Sequence, residues 1–127
     1  MELAQIHRCL GDETRLRILH LLTRGPLCVC HFQDVLRLPQ VAVSKHLGYL
    51  RAKGLVTATR KGQWMIYQIP PDAPVELGLQ LKCLRECVRS HPLFEADMKR
   101  RESLCCDEQR SGVAALRSLR SIKPRKP

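Results

Sequence analysis

Cys28 and Cys30 stand two residues apart in Leu27-Cys28-Val29-Cys30, and Cys105 and Cys106 are adjacent near the far end of the chain. Closely spaced thiols can share one soft ion, because polarisable thiolates favour soft metals and metalloids. They can also be oxidised to disulfides, which is the competing chemistry. Cys83 and Cys87 add an i, i+4 pair, a legitimate two-ligand spacing on one helix face. Small buried cysteines packing a helix interface would look the same, and the same alternative applies to Cys9. His31 follows Cys30 and is a borderline ligand for zinc or cadmium, although the sequence favours a solvent-facing ring. His91 could join Cys83 and Cys87. The total of 7 cysteines is odd, which argues against a closed disulfide framework and for metal or thiol chemistry.

A chain of 127 residues allows one domain with a modest core that dimerisation would complete. Its 22 Lys+Arg against 12 Asp+Glu give a formal charge of +10. A balance this basic suits a polyanion, with nucleic acid ahead of an anionic membrane surface, or is simply a solvated basic surface. No apolar run approaches the roughly 20 residues of a membrane span, and the N-terminus lacks an apolar signal segment. The expectation is a cytoplasmic protein with no membrane partner, in a compartment that keeps thiols reduced.

These thiols need positioning elements. Residues 2–10 place Leu3, Ile6, His7 and Leu10 at helical spacing, Gly11 ends that helix, and Asp12 can cap the next. The second helix carries Leu16, Ile18, Leu19 and Leu22 and stops at Gly25-Pro26. A third is expected over roughly 27–36, burying Leu27, Val35 and Leu36. On such a helix residues i and i+2 point roughly 200° apart, so one ion shared by Cys28 and Cys30 would distort it. A fourth helix runs from Gln40 to about Lys53 with Val43, Leu47 and Leu50 inward, and Gly54 ends it. Over 55–69 the period changes to that of a two-stranded hairpin with its turn at Arg60-Lys61-Gly62. Pro70, Pro71 and Pro74 stop the ribbon. The fifth helix, 75–90, has Leu77, Leu81, Leu84 and Val88 on one side and Leu79, Cys83 and Cys87 flanking. It is therefore expected to pack on its own domain and on a partner. Residues 93–106 make a short sixth helix. The domain is expected to span 1–108, followed by a basic, flexible tail, 109–127.

The third and fourth helices form a helix-turn-helix, and the basic hairpin after them makes it winged. Gln40, Ser44, Lys45 and Tyr49 fall on the outer side of the fourth helix, with His46 close to the inward side. Gln can pair with an adenine edge, Ser with bases or phosphate, and Lys neutralises phosphate. Arg60, Lys61 and Gln63 make the hairpin tip cationic enough to follow a backbone or minor groove.

Asp12-Glu13-Thr14-Arg15-Leu16-Arg17-Ile18-Leu19, Leu27-Cys28-Val29-Cys30, Val43-Ser44-Lys45-His46-Leu47 and Leu50-Arg51-Ala52-Lys53-Gly54-Leu55-Val56 resemble the ArsR/SmtB family of metalloregulatory repressors. Arg60-Lys61-Gly62-Gln63-Trp64-Met65-Ile66-Tyr67 matches its wing, so the resemblance covers about residues 2–90. It implies a fold that is mainly α with a small β-hairpin, a homodimeric winged helix-turn-helix paired through its first and fifth helices. It also implies binding to double-stranded operator DNA and release when an inducer binds. Cys28-Val29-Cys30 resembles the inducer site of the arsenic-responsive branch, which points to As(III) or Sb(III) on three thiolates. Pro39 stands where the family often has a Ser or Thr cap. Gln33 stands where that branch often has its third cysteine, so the missing thiolate must come from elsewhere or Cys28 and Cys30 are not both ligands; the expected site combines Cys30 or Cys28 with Cys105 and Cys106, within one chain or across the dimer. The alternatives are a repressor sensing cadmium or zinc, one sensing thiol oxidation, an architectural DNA-binding protein with structural metal and, in another class, a thiol oxidoreductase. No βαβ pattern or C-x-x-C spacing supports an enzyme.

Overall fold

The computed structural model describes residues 2–105. Cys106 and the segment 109–127 lie outside the described residues, as do the expected boundary at 108 and the Cys105 side chain. Six helices and a small sheet follow in the order α1 (Leu3–Leu10), α2 (Glu13–Leu22), β1 (Leu27–Cys28), α3 (Val29–Leu36), α4 (Gln40–Ala52), β2 (Thr57–Lys61), β3 (Trp64–Gln68), α5 (Val75–Cys87) and α6 (Pro92–Cys105). No helix among the described residues is long and apolar enough to cross a membrane.

Arg15 joins the first two helices. Asp12 caps α2 by accepting the Arg15 backbone N–H at 3.1 Å, and the Arg15 side chain turns back to donate to Cys9 O and Arg8 O. Those are carbonyls in the last turn of α1, where helix carbonyls run out of intrahelical donors; Arg8 O also accepts the N–H of Gly11, the C-cap. Arg37 closes α3 in a left-handed conformation (φ 60°, ψ 43°), and its N–H bonds Gln33 O. The chain turns there toward Pro39, the residue before α4. Phe32, Val35, Val43, Leu47, Leu50, Leu55 and Ile66 are fully buried and lock the helix-turn-helix onto α2 and the sheet.

The sheet departs from the expected two-stranded ribbon. It has three strands in the order β1-β3-β2, all antiparallel, with Leu27 opposite Tyr67 and Cys28 opposite Ile66. The hairpin turn lies at Gly62-Gln63, later than expected, because Lys61 pairs with Trp64 and Gly62 supplies a positive φ of 62°. The third helix starts at Val29 instead of 27, since Leu27 and Cys28 are extended backbone paired with β3.

α6 is fastened by a buried ion cluster. The Asp97 carboxylate is fully buried and accepts two hydrogen bonds from Arg17 at 2.9 Å and one from Arg100 at 3.1 Å. The same guanidiniums donate to Leu36 O and Val35 O, capping the end of α3. Deleting one partner of such a cluster strands a buried charge, at a cost of about 3–5 kcal/mol.

Candidate thiol and nucleic-acid site

Cys28 is the N-cap of α3, in extended backbone (φ −96°, ψ 167°), and Cys30 is its second helical residue. The opposition expected of i and i+2 on a helix does not arise. The strand-to-helix junction turns both side chains the same way, and the two sulfurs lie 2.7 Å apart. His31 is the third member. Its ring is buried, not solvent-facing as expected, with Nδ1 3.3 Å from the Cys28 sulfur. Cys28 and His31 form a capping box in which each side chain meets the other's backbone N–H. Burial of His31 follows from that box, since position N3 must face back over the cap. The sequence signal was a Cys-x-x-His spacing at a helix start, in place of the usual Ser or Thr with Glu. Ligand atoms of Cys28, Cys30 and His31 all lie within 4.8 Å of one another.

The electrostatics follow from these contacts. Cys28 is pushed down to about 4 because the Cys30 thiol, and then the His31 ring and backbone, hydrogen-bond its thiolate; burial opposes them. Cys30 moves the other way. It is the donor in that bond and is buried, and a second negative charge beside Cys28 would be repelled. Two convergent thiols beside an imidazole are a donor set suited to a soft cation or metalloid that displaces their protons.

A cavity of about 260 Å³ opens over the thiols. Cys28, Val29, Cys30 and Gln33 form its floor, while Gln40 of α4 and Gln63, Trp64 and Met65 of the wing form its walls. Trp64 and Met65 were not singled out from the sequence; their alternation in β3 gave no sign that they would line this cavity. No described α6 residue lines the cavity, and Cys105 is the last residue of α6. Cys106 lies outside the described residues.

Gln40, Ser44 and Lys45 are exposed along the outer face of α4, and Arg60 and Gln63 are exposed at the wing. Val41, 79 % exposed beside Gln40, is an apolar side chain on this face that sequence reading passed over. His46 is half-buried, as its place near the inward side implied. Tyr49 is not free on the outer side. It is half-buried, with the Arg15 guanidinium 4.3 Å and the Lys53 ammonium 5.6 Å from its ring centre. Lys61 is half-buried and engaged with a neighbour.

Cys83 and Cys87 are exposed, with sulfurs 3.8 Å apart, and His91 does not complete a three-ligand group with them. Cys9 is fully buried in the core.

Residues 12–58 match the model of the family described as bacterial regulatory protein, arsR family. The arsenic resistance transcriptional regulator ArsR1 of Pseudomonas putida is 41 % identical over 78 residues, covering 61 % of this chain and 61 % of that protein. The chain thus spans about three fifths of that relative's length. An uncharacterized HTH-type transcriptional regulator of Methanocaldococcus jannaschii is 43 % identical over 75 residues, covering 58 % of this chain and 84 % of that one. The solution structure of a homodimeric winged helix-turn-helix DNA-binding domain from Mycobacterium bovis superposes with a TM-score of 0.57 at 26 % identity, covering 69 % of this chain and 79 % of that one. The helix-turn-helix, the wing beside it and these matches agree, and the chain belongs to the arsR family of bacterial regulatory proteins.

Proposed function

We propose that this chain is a cytoplasmic, metalloid-responsive transcriptional repressor that binds operator DNA as a dimer and lets go when As(III) or Sb(III) binds cysteine thiolates. Cys28 and Cys30 supply two sulfurs, and Cys105 or Cys106 the third. One observation carries the reading: two convergent thiols floor a cavity whose walls include Gln40 of the recognition helix and Gln63 of the wing. Anything bound there touches both DNA-facing elements. Gln40, Ser44 and Lys45 meet the major groove with Val41 placed for a thymine methyl, and Arg60, Lys61 and Gln63 follow the backbone. His46 and Tyr49 support that helix from its flank. Leu3 on α1 and Val75 and Leu79 on α5 are large, exposed and apolar, which suits pairing of two copies through these helices.

A hundredfold loss of operator affinity needs about 2.7 kcal/mol of coupling, inside the usual range. Reciprocity then requires operator DNA to weaken inducer binding by the same factor. Polarisation binding to the chain's own upstream promoter DNA, titrated with As(III), Sb(III), Cd(II) and Zn(II) under reducing conditions, tests this. Release by the trivalent ions near one equivalent per site supports the reading, and binding that ignores every ion sinks it. The His31 ring beside Cys28 favours one second reading, in which a divalent ion such as cadmium or zinc is the inducer. Release by Cd(II) or Zn(II) alone would establish that instead.

A further inference from the structure

We propose that the cavity between the end of α2, α5 and α6 is a second ligand site, taking a small organic monocarboxylate between Arg24 and Arg85 with the ligand's apolar body against Phe94. The cavity measures about 300 Å³ and shares no lining residue with the one over the thiols. A volume of that size suits a small organic molecule better than a bare inorganic ion.

The lining joins uncommitted cations to an apolar wall. Arg24, just past the end of α2, and Arg85 of α5 both line it, and neither guanidinium makes a hydrogen bond or ion pair among the described residues. A planar guanidinium can meet a carboxylate with two parallel hydrogen bonds. Between them lies His20, whose ring is 9 % exposed and lines the same cavity, with Nδ1 buried and without a hydrogen-bond partner. Buried polar atoms are normally satisfied, so one left over beside a cavity points to a group that the cavity receives. Burial holds the His20 imidazole below its ordinary range; Asp97 opposes this, while Arg24 and Arg85 add to it, which puts both guanidiniums near the ring.

The other charges restrict the ligand to one negative charge. Glu86 is paired with Arg89 at 3.1 Å, whereas the Glu95 carboxylate at the rim is exposed and would repel a second charge, as on phosphate. Phe94 is buried and held edge to face by His20 and His91, with ring centres 5.5 and 5.1 Å away. Val88 and Met98 extend that apolar wall. Pairing of two copies through α1 and α5 leaves the site open, because Arg85 lies about 120° round α5 from Leu79.

The probe is benzoate, titrated calorimetrically into the full chain without DNA, with benzamide as its neutral counterpart and inorganic phosphate as a more highly charged one. One benzoate per chain is expected at millimolar concentrations, at least about tenfold tighter than benzamide or phosphate. Arg24→Gln and Arg85→Gln should each weaken it at least about tenfold. Lys99→Gln removes an exposed charge on α6 outside the cavity and should bind as wild type does. No benzoate binding, equal binding of benzamide or phosphate, or an equal loss in Lys99→Gln overturns the proposal. Nuclear Overhauser contacts in the wild type locate the ligand independently of how any variant folds. Contacts from the benzoate ring to Phe94 support the site, and contacts confined to other residues overturn it. A protein that binds benzoate here but ignores As(III) would leave this inference standing and remove the metalloid reading.

Discussion

Two cysteine pairs with sulfurs in contact sit in opposite settings. Cys28 and Cys30 lie at a strand-to-helix junction, covered by core and wing, with a histidine and a helix start arranged around them. Cys83 and Cys87 lie one turn apart on the solvent side of α5, their sulfurs 3.8 Å apart. By spacing alone the second pair is the better chelate, since i and i+4 share a helix face while i and i+2 do not. Structure reverses that ranking. An extended N-cap turns Cys28 beside Cys30 and surrounds it with donors, whereas Cys87 is merely raised by its hydrogen bond with Cys83. Thiol chemistry follows the environment more than the spacing.

The largest expected effect tests that contrast directly. Cys28→Ser/Cys30→Ser should bind operator DNA within about twofold of wild type yet lose the whole As(III) response, about a hundredfold in affinity. Cys83→Ser/Cys87→Ser should keep that response. If polarisation titrations show the reverse, the comparison fails and sensing belongs to α5.

The sequence disclosed one pair better than the other. On α5 the inner stripe Leu77, Leu81, Leu84 and Val88 is buried as its spacing demanded, and Leu79 is 59 % exposed as a second face should be. Helix periodicity is local, so it can be read. At Cys28 the deciding features are not local. β1 is two residues long and has no period of its own; it exists because β3, almost 40 positions later, pairs with it. Burial of His31 follows from the cap that Cys28 makes where that strand ends and α3 begins. The Arg17–Asp97 pair spans 80 residues and left no trace in either segment.

The next effect asks whether the exposure of the α5 pair is real. In a dimer through α1 and α5, Leu79 is covered, and a buried leucine contributes about 1.5–3 kcal/mol. Leu79→Lys should therefore weaken dimerisation by about tenfold to a hundredfold, read by sedimentation equilibrium. Unchanged association would mean Cys83 and Cys87 face open solvent in the working protein.

A smaller effect distinguishes the pairs by pH. Cys28 ionises at about 4 in the folded chain, against a reference of 9.0. Between those values the unfolded chain binds more protons, so this group's stabilisation is complete above about pH 9 and is lost as pH falls toward 4. The gap in melting temperature between wild type and Cys28→Ser should thus shrink from pH 8 to pH 5. Taking the difference cancels His20, whose lowered pKa, caused by burial, also weakens the fold in acid. Cys30, raised above the ordinary thiol range, acts only at higher pH. A gap that stays constant would mean that Cys28 is not a thiolate in the folded protein.

The smallest effect is the cleanest control, because it predicts almost nothing. Cys83→Ser/Cys87→Ser removes two exposed thiols that hold no cap and no core position. Surface changes of this kind shift stability by no more than about 0.5 kcal/mol. Removing an N-cap such as Cys28 costs typically ~1 kcal/mol, though serine can itself cap and so recovers part of it. Cys28→Ala is accordingly the sharper counterpart, and urea melts of the two proteins at pH 7 should separate with Cys28→Ala the less stable. A Cys83→Ser/Cys87→Ser protein that lost as much would show that α5 hides its thiols against a second copy. The difference between the pairs would then be one of quaternary burial, not of local chemistry.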